Sequence, residues 1–171
     1  QDISSWNTAA VTSMTSMFRG AAKFDRDIDT SGDKWNTAAV TKMDFMFSGA
    51  AKFDKSIANW NTAAVTTMQG MFKGAAAFNK DIGTWDVSKV TRMFDMFFGA
   101  TAFDNGGADG IKAWKTGLVT TMQYMFNEAT AFNQAIPKNG DKWDTAKVTD
   151  MEGMFYEASA FKDRKSTRLN S

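Results

Sequence analysis

The chain has 171 residues, 43% of them apolar and 13% aromatic, with one proline, no cysteine and no histidine. That length fits one ordinary domain, able to bury about two-thirds of the unfolded chain's surface. Zero cysteines exclude a disulfide framework and zinc–thiolate sites, zero histidines exclude triads and metal centres that need imidazole, and 20 basic against 19 acidic residues leave no basic excess for nucleic acid. No apolar run approaches the roughly 18 residues that span a bilayer, and the first residues do not read as a signal peptide.

Tryptophans open each of six repeats, at Trp6, Trp35, Trp60, Trp85, Trp114 and Trp143, spaced by 29, 25, 25, 29 and 29 residues. After each come fixed columns, in the third repeat Val65, Thr66, Met68, Met71, Phe72, Gly74, Ala75, Phe78 and Ile82. All twelve methionines lie in two of these columns. The unit is W-x4-V-T-x-M-x2-M-F-x-G-A-x2-F-x3-I-x2. The four extra residues of the longer units fall in 29–34, 104–110 and 137–142, rich in Gly, Asn and Asp, and predict lengthened surface loops.

From valine to alanine the apolar spacing is i, i+3, i+6, i+7, i+10, which predicts a short helix in every unit. The threonine column falls at its N-cap, with Asp44, Gln69, Gln123 and Glu152 three residues later as capping-box partners. Gly20, Gly49, Gly74 and Gly99 fall at its stop, replaced by Glu128 and Glu157 in the last two copies. The stretch from the second phenylalanine through isoleucine to tryptophan predicts a short strand. One unit buries too little to offset its own ordering, so units must stack. The expected fold class is α/β: a leucine-rich-repeat-like curved solenoid of six coils of about 25–29 residues, each a short helix plus a short parallel strand. The expected domain is a single solenoid over residues 1–162, uncapped and a fragment of a longer chain. Residues 163–171 (DRKSTRLNS) break the pattern and read as a non-native tail, like the conceptual translation of a sequencing adapter.

These repeats resemble the tandem units of bacterial surface protein A-like (BspA-like) leucine-rich-repeat proteins, in the variant with a tryptophan–methionine–phenylalanine pattern. The segment FNKDIGTWDVSKVTRMFDMFFGATAF (Phe78–Phe103) is similar to one such unit. The resemblance covers residue 1 to about Phe161. It implies an extracellular or cell-surface protein connected with adhesion and attachment to other proteins, and it implies no catalytic residue, because the matched columns are core and cap positions.

The methionine columns read as core filler rather than soft-metal or haem ligands, and the tryptophans as a packing ladder rather than a carbohydrate-stacking face. Two threonine ranks, from Thr12 and from Thr8, would bind ice only if both lay on one exposed sheet. Asp25, Asp54, Asn79, Asp104 and Asn133 read as a hydrogen-bond ladder rather than a calcium site, with Arg26, Lys55 and Lys80 intervening. Aromatics that break the pattern, Phe45, Phe94, Phe98, Tyr124 and Tyr156, are the candidate partner-binding residues. Carboxylates spread one per repeat give no acid–base pair, so no catalytic residue, metal or cofactor is expected. The expected function is a non-catalytic protein-interaction module with protein partners or self-association, no nucleic acid and no membrane span. The alternative is a structural subunit of an assembly or filament built by end-to-end stacking.

Overall fold

The computed structural model describes residues 3–28, 35–137 and 142–162. Among these residues, helix is limited to two short 3-10 turns, Asn105–Gly107 and Asp109–Ala113. Parallel pairing consists of isolated bridges that link Ser13, Lys42, Thr67, Arg92, Thr121 and Asp150 in succession. The expected α/β solenoid with a helix and a strand in each coil is therefore overturned. The pairing residue stands just after the threonine, inside the stretch that predicted a helix. The stretch through isoleucine that predicted a strand is a turn, in which the Trp60 N–H donates to the Ile57 carbonyl at 3.2 Å.

Backbone bonding shows what replaces the helix. In the third repeat the N–H groups of Met68, Gly70, Phe72 and Gly74 donate to the carbonyls of Arg92, Phe94, Met96 and Phe98 in the fourth, at 2.7–3.2 Å. The alternate N–H groups of Met71, Lys73 and Ala75 close turns onto Met68, Gly70 and Phe72, three residues back. The chain thus zigzags through consecutive β-turns, and every second amide is satisfied by the neighbouring repeat rather than by an i−4 carbonyl.

Left-handed backbone drives this zigzag. One column, Ser16, Phe45, Gly70, Asp95, Tyr124 and Gly153, has φ between +53° and +58° in all six repeats. Four residues on, Gly20, Gly49, Gly74, Gly99, Glu128 and Glu157 have φ between +56° and +73°. A positive φ at the third position of a turn is the type II geometry. Two such residues four apart cannot belong to a right-handed helix. The apolar residues still recur every three or four positions because each turn advances the chain by about as many residues as a helical turn.

The threonines accordingly cap nothing. Thr41, Thr66, Thr91, Thr120 and Thr149 donate their hydroxyls to the carbonyls of Thr12, Thr41, Thr66, Thr91 and Thr120 at 3.0–3.2 Å. The second rank is buried: Thr37, Thr62 and Thr116 donate to the carbonyls of Asn61, Asp86 and Asp144. The two ranks share no exposed face, which removes the geometry that ice binding requires.

Side chains of one column stack on their own kind. Phe18, Phe47, Phe72, Phe97, Phe126 and Phe155 run in steps of 5.4–5.7 Å. The second phenylalanine of each repeat lies 3.9–4.1 Å from the first. Trp6, Trp35, Trp60 and Trp85 step by 6.4–6.5 Å, offset as π-faces prefer. The buried indole N–H groups of Trp60, Trp85, Trp114 and Trp143 donate to the carbonyls of Ile28, Ile57, Ile82 and Ile111, two repeats earlier, as Trp85 Nε1 does at 3.1 Å. The Asx column forms the expected ladder: Asp54, Asn79, Asp104 and Asn133 donate backbone N–H to the side-chain oxygens of Asp25, Asp54, Asn79 and Asp104 at 2.8–3.2 Å. Lys55 and Lys80 pair with the carboxylates of Asp25 and Asp54.

The long segment at 104–110 lies largely at the surface, as expected, and is pinned by one residue that turns inward. Asn105 is fully buried, accepts from the Ile82 N–H at 2.9 Å and donates to Asp81 and to the Ala108 carbonyl. Beside it Gly83 and Gly110 pass so close that a Cβ on either would strike the other's backbone. The long segment at 29–34 and most of that at 137–142, with the expected tail 163–171, lie outside the described residues.

Candidate interaction groove

Repeats four to six build an open groove of about 460 Å³, lined by Phe98, Tyr124, Asn127, Glu128, Glu152, Gly153 and Tyr156. Its floor depends on the first left-handed column. Tyr124 holds that column in repeat five and Gly153 in repeat six, and a Cβ on Gly153 would collide with the Tyr124 ring. The ring lies flat across the glycine and is anchored by its hydroxyl, which donates to Glu152 Oε1. Gln123 Nε2 donates to Glu152 Oε2 at 2.7 Å. These two bonds hold the Glu152 carboxyl below the usual carboxylate range, and the bond to Glu152 raises the Tyr124 hydroxyl.

Phe98 meets Tyr124 edge to face, with ring centres 6.4 Å apart and planes at 81°. Lys73 Nζ lies 4.4 Å from the Phe98 ring centre and 2.5 Å from Asp95 Oδ2, so a cation is already held between ring and carboxylate. Asp95 is only 3% exposed, and its other oxygen has no hydrogen-bond partner. Tyr156 is 62% exposed. Its hydroxyl is raised by hydrogen bonding to Glu157 and by the charges of Glu157 and Glu128. The Glu128 backbone N–H donates to the Tyr156 carbonyl at 2.8 Å, while its carboxylate makes no hydrogen bond or ion pair with any described residue.

Of the five aromatics singled out from sequence, three converge here: Phe98, Tyr124 and Tyr156. Phe45 does not. Its ring covers Gly70 as Tyr124 covers Gly153, with the Arg19 guanidinium 5.3 Å from its centre, in repeats two and three. Phe94 is half-buried outside the groove lining. Asn127, Glu128, Glu152 and Gly153 are the lining residues that sequence reasoning missed as site residues. The sequence pattern puts Glu128 at a helix stop and Glu152 at a cap. With no helix to terminate, both carboxylates stand at the groove.

Among the described residues no three His, Cys, Asp or Glu side chains group as metal ligands, and no helix is long and apolar enough to cross a membrane. A family model described as "Mycoplasma protein of unknown function, DUF285" matches residues 1–51, 30–109 and 107–170. No curated protein matches the chain.

Proposed function

We propose, for a chain that belongs to the DUF285 family, a non-catalytic role as a protein-interaction module at the cell surface or outside the cell. The observation that carries this reading is the meeting of Phe98, Tyr124 and Tyr156 in one open groove. Partly exposed aromatics gathered in one groove, apart from the stacked columns of the core, favour a contact with another protein. The likeness of the repeat to BspA-like units supports the surface location and a role in adhesion. Three copies of the family match along one chain agree with a protein that is tandem repeat for most of its length.

Replacing Phe98, Tyr124 and Tyr156 together by alanine tests the reading. Capture of native partners by the immobilised chain should be lost while the fold, followed by circular dichroism, persists. Capture that survives the triple substitution in a folded protein overturns it.

A further inference from the structure

The groove has the composition of a site for a cation, yet no lysine or arginine lines it. Within the same surface, Lys73 occupies the space between the Phe98 ring and the Asp95 carboxylate. Arg19 faces the Phe45 ring in the same manner. Two repeats after Lys73 the equivalent residue is Asn127, and two repeats after Phe98 it is Tyr156. The ring is kept and the internal cation is gone. In its place are carboxylates, Glu128 and Glu152 on the lining and Glu157 beside Tyr156.

Backbone cost points to the same spot. Glu128 and Glu157 have φ of +57° and +56° in a column that the first four repeats fill with glycine, and Tyr124 has φ of +54°. Three non-glycine side chains in the left-handed region, each costing on the order of 1 kcal/mol, meet around one groove. Glu152 has both oxygens engaged by Tyr124 and Gln123, which fixes it in place. Among the described residues the Glu128 carboxylate has no hydrogen bond or ion pair, so it can accept from an incoming N–H.

Resting on the reading of this chain as an interaction module, we infer that the groove formed by Phe98, Tyr124, Glu128 and Tyr156 receives a lysine or arginine side chain presented by a partner protein. The Tyr124 and Tyr156 rings attract the cation and Glu128 accepts its N–H, while Phe98, already faced by Lys73, forms the wall beside them. A quaternary ammonium would fill the aromatic faces and leave the carboxylate's acceptors unused, so a primary ammonium or guanidinium fits better.

The test is calorimetric titration of the full chain with a nonalysine peptide, its fully acetylated form, and choline. Nonalysine should bind, and more weakly as salt rises. Acetylated peptide and choline should bind at least several-fold more weakly. Glu128→Gln and Tyr156→Ala, both at the rim, should each weaken nonalysine about threefold and together about tenfold. Asp27→Asn, an exposed carboxylate in the first repeat, removes the same charge and should change nothing. Equal binding of the acetylated peptide, or equal losses in Asp27→Asn and Glu128→Gln, overturns the inference. Partner capture that is lost with the aromatic triple variant but kept by Glu128→Gln also overturns it while leaving the interaction module standing. Capture kept by both removes the interaction module itself.

Discussion

Phe72 and Phe155 occupy the same place in the repeat, and the same turns carry them. Phe72 is sandwiched between Phe47 and Phe97, at 5.6 and 5.5 Å, and is wholly buried. Among the described residues Phe155 meets its column on one side, at Phe126, 5.7 Å away, and is half-buried. Around it Met151, whose counterparts Met68 and Met93 are buried, is 43% exposed. Burial in this protein is conferred by neighbours, not by the repeat's own residues.

The sharpest way to break that comparison is to cut the same side chain at both places. Phe72→Ala should lower unfolding stability by about 3–5 kcal/mol, and Phe155→Ala by about half as much, measured by urea denaturation. Equal losses would mean that each repeat holds its phenylalanine unaided. Next in size is Asn105→Ala, at the one buried residue of the surface segment 104–110. It strips the buried Ile82 N–H of its acceptor and should cost about 1–3 kcal/mol. The left-handed column gives a smaller, signed pair. Gly99→Ala should destabilise by about 1 kcal/mol and Glu128→Gly should stabilise by a similar amount, read as opposite shifts in melting temperature.

The smallest effect concerns pH. Glu152 lies below its ordinary 4.5, so its contribution is present above that value and fades as pH falls through the lowered one. Tyr124 lies above its ordinary 10.0, so its share is complete below that value and fades as pH rises through the raised one. Their contact is at full strength between these limits. Ultraviolet titration should place both tyrosine midpoints above 10.0, and Glu152→Gln should bring that of Tyr124 down.

The columns were legible in sequence because each fills the same contact in every repeat, so tryptophan, phenylalanine and Asx recur in register and the ladders follow. The apolar spacing points to a helix that does not form, for a physical reason. Turns of four residues with a left-handed third position return side chains to the core at nearly the spacing of a helix. Gly70 and Gly74, four apart within a supposed two-turn helix, carried the contrary signal, as did Gly153 followed by Glu157. At the groove, Phe98, Tyr124 and Tyr156 stood out as departures from the repeat. Glu128 and Glu152 were visible as departures too, but their meaning depended on the helix, and it changed when the helix was lost.

The alternation of backbone bonding divides the amides of each repeat into two populations. Those of Met68, Gly70, Phe72 and Gly74 exchange with solvent only when repeat three parts from repeat four, whereas those of Met71, Lys73 and Ala75 need only a single turn to loosen. Deuterium uptake resolved to single residues will therefore run slow, fast, slow, fast along the chain. A helix would give an even run and a flat strand would not protect its alternate amides through turns, so that rhythm is a signature of this backbone.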